Sequence, residues 1–120
     1  GGEISRIMLS IKSILSSYIK LSTIIFDEID TGISGTVSSK VADLMGQMSK
    51  NMQVIVITHT PQVASKGDFH YKVFKREVEN KIITDIKLLD DKERVKEIAE
   101  MLSGDKSNKS ANELANELLN

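Results

Sequence analysis

Two short apolar runs, Thr23-Ile24-Ile25-Phe26-Asp27 and Gln53-Val54-Ile55-Val56-Ile57, constrain this chain more than any other feature. Each is β-branched or aromatic, and neither alternates apolar with polar, so both read as fully buried strands. Between them, residues 36–50 place Val37, Val41, Leu44, Met45 and Met48 on one helical face. Strand, helix, strand with a short return is a βαβ unit, which requires a parallel sheet and a right-handed crossover. Ligands of such sheets bind beyond the carboxyl ends of the strands.

What stands at those ends is chemical. The first run closes on Asp27-Glu28, with Asp30-Thr31-Gly32 directly after, and the second opens into Thr58-His59-Thr60. An acidic pair at a strand end is the device by which a nucleotide triphosphatase holds Mg²⁺ and aims a water at a phosphate. A histidine at the neighbouring strand mouth suits a hydrogen bond to a γ-phosphate. By contrast His70, in a later hairpin, reads as packing or surface. Met8, Met45, Met48, Met52 and Met101 read as core filler.

The rest of the chain is expected to be helix and hairpin. Ile4, Ile7, Met8, Ile11, Ile14, Leu15 and Tyr18 recur at helical spacing over residues 4–19. Pro61 starts a short helical turn. Residues 69–76 and 81–88 form an antiparallel pair. Asp90 with Glu93 caps a helix over 91–102 that Gly104 stops, and Ser110 with Glu113 caps a last helix. The 120 residues suffice for a single domain spanning 1–120.

Composition narrows the functional classes. Sixteen basic residues against 17 acidic ones lack the basic excess of a free-standing nucleic-acid module. Without cysteine there is neither a disulfide framework nor a thiolate metal site. No apolar run approaches the roughly 20 residues of a membrane span, so no membrane association is expected. No G-x-x-x-x-G-K-[ST] phosphate loop occurs. The carboxylates therefore have no cradled triphosphate within this chain. The opening Gly1-Gly2-Glu3, without an initiator methionine, reads as the start of an excised fragment.

Taken together these residues resemble the C-terminal half of an ABC/SMC-type P-loop ATPase head. Gly1-Gly2-Glu3 resembles the end of the signature motif, residues 24–28 Walker B, residues 30–35 the D-loop, and His59 the switch histidine. The resemblance narrows at Asp27-Glu28-Ile29-Asp30-Thr31-Gly32-Ile33-Ser34-Gly35 and at Ile57-Thr58-His59-Thr60-Pro61-Gln62-Val63-Ala64, which look like the RecN family of SMC-like ATPases in bacterial double-strand-break repair. Arg94, residues 97–104 and the closing Glu117-Leu118-Leu119 are similar to that family's C-terminal end.

The resemblance implies a parallel sheet core flanked by helices, with a C-terminal β-hairpin and two terminal helices. It implies ATP and Mg²⁺ as cofactors, an N-terminal lobe carrying Walker A, a second head in an ATP-sandwiched homodimer, DNA as a partner of the intact protein, and a cytoplasmic, nucleoid-associated setting. Asp27 would serve Mg²⁺, Glu28 the attacking water and His59 the γ-phosphate. Gly1, Gly2, Glu3 and Asp30 would meet nucleotide. Alternatives within the same chemistry are another SMC or Rad50-like head and a transporter nucleotide-binding domain. A non-catalytic interaction domain is the alternative from another class.

Overall fold

In the computed structural model, β1 (Thr23–Asp27) and β2 (Gln53–Ile57) pair in parallel, with Thr23 opposite Gln53 and Asp27 opposite Ile57. The structure describes residues 2–18, 20–104 and 108–120. Its contacts divide the chain into two units, Gly1–Lys66 and Gly67–Asn120.

The first unit is the βαβ element with helices added. α1 (Gly2–Tyr18) precedes β1, α2 (Gly35–Met48) connects β1 to β2, and the one-turn α3 (Pro61–Ala64) follows β2. Ser38, Val41, Ala42, Met45 and Met48 make the buried face of α2, at the three- and four-residue spacing of one helical stripe. Of these, Val41, Ala42, Met45 and Met48 meet Leu9, Ile24, Phe26 and Val63 in a single core. The ammonium of Lys12 lies 5.4 Å from the centre of the Phe26 ring, a cation–π contact. α2 ends two residues earlier than the sequence suggests. Its last turn tightens into bonds from Lys50 N–H to Gln47 (3.3 Å) and Asn51 N–H to Met48 (3.2 Å), the i→i+3 pattern that closes many helices.

The strands are not buried on both faces. Ile24 and Phe26 face the core, whereas Ile25, Ile55 and Ile57 on the other face are 57, 42 and 50% exposed. Among the described residues the helices of this unit cover one face of a two-stranded sheet. The expectation of fully buried strands is therefore corrected for this chain. The non-alternating composition remains that of strands sandwiched between two layers. A similar surplus appears on α1, where Leu9 is buried and Ile7, Met8, Ile11 and Ile14 are exposed.

The second unit is a hairpin and a helix pair. β3 (Tyr71–Val78) and β4 (Lys81–Leu88) run antiparallel. Glu79 and Asn80 alone make the turn, both at positive φ (49° and 60°). That is the geometry of a two-residue type I′ hairpin, whose twist matches the strands. Such a turn draws Glu77 and Val78 into the ladder, so β3 lies two residues later than predicted. His70 stands just before β3 and is half-buried, its carbonyl accepting from Leu89 N–H at 2.9 Å. Burial, helped by the Arg94 charge, holds the His70 pKa below its ordinary value, against the opposing pull of Glu97.

α4 (Asp91–Ser103) begins with the capping box expected from sequence: the Asp90 carboxylate accepts from Glu93 N–H at 2.8 Å and Glu93 accepts from Asp90 N–H. Lys72 of β3 pairs with Glu97, and Lys87 of β4 with Glu93. α5 (Lys109–Leu119) packs on α4 through Ala111 and Ala115. Its cap is Asn108, whose side chain accepts from Ala111 N–H at 2.8 Å. Ser110 therefore lies inside the helix and is not its cap. Asn is among the strongest N-cap residues, and it stands first in the chain.

Gly104 closes α4 at φ 72°, its N–H on the Glu100 carbonyl at 2.9 Å. Nothing lies within 4 Å of a Cβ added there, so the cost of a side chain is purely one of backbone conformation. Gly104→Ala is expected to lower stability by about 1 kcal/mol, read as a lower thermal midpoint. An unchanged midpoint would mean that this helix end relaxes freely.

Candidate active-site edge

The parallel register decides where the sequence-predicted residues lie. Asp27 is the last residue of β1 and sits opposite Ile57, the last of β2. Glu28 N–H donates to the Ile57 carbonyl at 2.8 Å. Asp27, Glu28 and the Thr58-His59 segment thus leave the sheet together at its carboxyl end. All three of Asp27, Glu28 and His59 are exposed. Glu28 adopts φ 49°, a left-handed conformation that costs a non-glycine residue about 1–2 kcal/mol. Such an outlier at a strand end is characteristic of functional turns.

The loop after Glu28 folds back on itself. Thr31 donates to the Glu28 carbonyl through both its N–H (3.3 Å) and its hydroxyl (2.9 Å). Gly32 then takes φ 74°, which lets the chain turn into Ser34 and the start of α2. Asp30 goes the other way. It is only 1% exposed, and its Oδ2 accepts from the hydroxyls of Thr58 and of Thr60, the latter at 2.5 Å. Thr60 N–H in turn donates to the Thr58 hydroxyl at 3.0 Å. Asp30 Oδ1 is buried with no hydrogen-bond partner among the described residues.

Sequence reasoning missed Thr58 and Thr60. The one available signal was a hydroxyl on each side of His59. Spacing cannot reveal that both reach an aspartate 28 and 30 residues away.

Among the described residues no group of three or more His, Cys, Asp or Glu side chains gathers as a metal cage. Mg²⁺ needs none: it is commonly held by one or two carboxylates, with phosphate oxygens and water completing its shell. Exposed Asp27 beside Glu28 fits that pattern. Of the residues matched to the signature motif, Gly1 lies outside the described residues, Gly2 begins α1, and Glu3 is an exposed acid in its first turn. No described helix is long and apolar enough to cross a membrane.

No family profile matches the chain. Its fold is that of part of an SMC-type ATPase head. A solved structure reported under ATP-driven dimerization and DNA-stimulated activation of SMC ATPases superimposes with a TM-score of 0.66 at 22% identity, covering 85% of this chain and 61% of that one. In sequence the chain is similar, more narrowly, to RecN proteins. It is 44% identical over 119 residues, 99% of the chain, to the DNA repair protein RecN of Halalkalibacterium halodurans. The corresponding proteins of Rickettsia conorii and Deinococcus radiodurans are 46% and 40% identical over the same share of the chain. The chain spans about a fifth of the length of the curated relatives it matches.

Proposed function

We propose that this chain is the C-terminal lobe of an ATPase head in a RecN-like DNA repair and recombination protein, and that the β1–β2 edge is its half of an ATP-hydrolysing site. The observation that carries this reading is the single carboxyl edge, where Glu28 N–H bonds to the Ile57 carbonyl and His59 follows two residues on. Asp27 would hold Mg²⁺, which supplies charge neutralisation on the phosphates when bound. The Glu28 carboxylate accepts a proton from, and orients, the attacking water. His59 donates to a γ-phosphate oxygen. Gly1, together with Gly2 and Glu3 at the start of α1, would face the nucleotide of a second head.

The uncovered Ile25, Ile55 and Ile57 face supports the same reading from packing. Both faces of these strands are apolar, and a covering layer from an N-terminal lobe carrying Walker A would bury the second. DNA is proposed as a partner of the assembled protein, working in the cytoplasm at the nucleoid, since this chain alone has no basic excess.

The test is direct. The isolated chain is expected to show no ATP binding or turnover above background, because a Walker A loop supplies most phosphate contacts through its backbone N–H groups and lysine. A full-length RecN-type protein carrying these residues is expected to hydrolyse ATP. Turnover by the isolated chain that disappears on Glu28→Gln would overturn the division of labour.

A further inference from the structure

We propose that Asp30 is a positioning residue: its buried carboxylate grips the hydroxyls on both sides of His59 and so fixes the imidazole relative to Glu28. This rests on the reading of His59 given above and deepens it.

Three observations converge on the bridge. First, Asp30 is almost wholly buried, so its side chain is turned away from the exposed edge where Asp27 and Glu28 stand. A nucleotide contact by this loop would then come from its exposed Thr31-Gly32 turn rather than from the Asp30 carboxylate. Secondly, both bonds land on one oxygen and come from the two immediate neighbours of His59. The backbone of His59 is thereby held on each side, and its ring is left at the surface.

Thirdly, Thr60 occupies the N-cap position of α3, yet its side chain makes no capping bond. A threonine there ordinarily accepts from a helix N–H. Here the hydroxyl donates to Asp30 instead, so the usual local role has been given up for a contact between loops. Departures of this kind concentrate where function outranks stability. The unpartnered, buried Asp30 Oδ1 is a second such departure.

The chain of contact is continuous. Glu28 is tied to Ile57 through its N–H and to Thr31 through its carbonyl, and Asp30 between them is tied to Thr58 and Thr60. The water-directing carboxylate and the phosphate-directing imidazole are therefore held by one hydrogen-bonded unit. Small misplacements of such groups cost large factors in rate.

Two measurements test this, one of position and one of use. In the 120-residue chain, the ring resonances of His59 and His70, its two histidines, are followed by NMR. Asp30→Ala is expected to move the His59 ring signals toward random-coil values and narrow them, leaving the core methyl signals of Ile24 and Val41, in the same unit, in place as a control for folding. Thr58→Val combined with Thr60→Val removes the same bonds while keeping Asp30, and is expected to do likewise should Asp30→Ala fail to fold. Unaltered His59 signals in the folded double variant would overturn the proposal.

In the full-length protein, Asp30→Ala is expected to lower kcat for ATP about tenfold or more, with KM within about twofold of the parent. Asp30→Asn keeps an acceptor oxygen for both threonines and is expected to restore most of that kcat. Added to His59→Ala, Asp30→Ala should cause no further loss, as residues acting through one another are non-additive. Equal losses in Ala and Asn variants with a raised KM would mean direct contact with nucleotide or metal, and would overturn positioning. If His59→Ala itself left kcat unchanged, the catalytic reading of His59 would fall, while the ring signals would still decide whether Asp30 positions it.

Discussion

Glu28→Gln in a full-length RecN-type protein is expected to slow ATP hydrolysis by roughly two orders of magnitude or more, the scale of losing a general base. Gln matches Glu in size and keeps a hydrogen-bonding carbonyl, but it removes the charge that, on the proposed reading, accepts a proton from the attacking water. Binding is expected to survive, since the proposed reading rests it on a Walker A loop and on Mg²⁺, with Asp27 intact. ATP-bound, engaged heads should then accumulate, visible as a dimer in sedimentation or size-exclusion runs with ATP. The φ of 49° at this position is met as well by Gln as by Glu, so the folded state should be little changed. Asp27→Ala provides the contrast, because it should weaken Mg²⁺-nucleotide binding itself. Hydrolysis near the parent rate in the Glu28→Gln protein would move the base elsewhere and remove the reason for reading this edge as a site.

The strand ends were legible in the sequence because an apolar run has few ways to stop. Residues 23–27 and 53–57 appear as strands with those bounds, and parallel pairing then brings Asp27, Glu28 and Thr58-His59 to one end with little further freedom. The capping box at Asp90 and the stop at Gly104 were legible for a similar reason, being local bonds written into adjacent residues. What escaped was whatever depends on distant partners. Burial of Asp30 against Thr58 and Thr60 joins two loops far apart in sequence, and no periodicity encodes it. The exposed Ile25, Ile55 and Ile57 face escaped differently. Composition records the environment in which a strand is selected, and these strands carry the composition of a two-sided core. The cap of the last helix was misplaced because Ser110 and Glu113 imitate a box that Asn108 forestalls.

That two-sided composition gives the second large effect. Phe26→Ala is expected to destabilise the chain by about 3–5 kcal/mol, the usual cost of a buried Phe→Ala change and its cavity. Phe26 is 2% exposed and sits among Leu9, Ile24, Val41, Met45 and Val63, so no neighbour can fill the void without moving the β1–α2 contact. A loss of this size is comparable with the whole stability of a small domain, and urea or thermal unfolding should show it as a large fall in the unfolding midpoint. Ile25→Ala, one residue earlier, should cost within about 1 kcal/mol in the same chain, because its side chain is 57% exposed. In the full-length protein the two should converge. If a covering lobe buries the Ile25 face, Ile25→Ala should rise toward the roughly 2–5 kcal/mol of a core Ile→Ala substitution, while the Phe26→Ala cost stays as it was. An Ile25→Ala cost that remains small in the full-length protein would mean that this face stays open, and the proposed N-terminal layer would have to lie elsewhere.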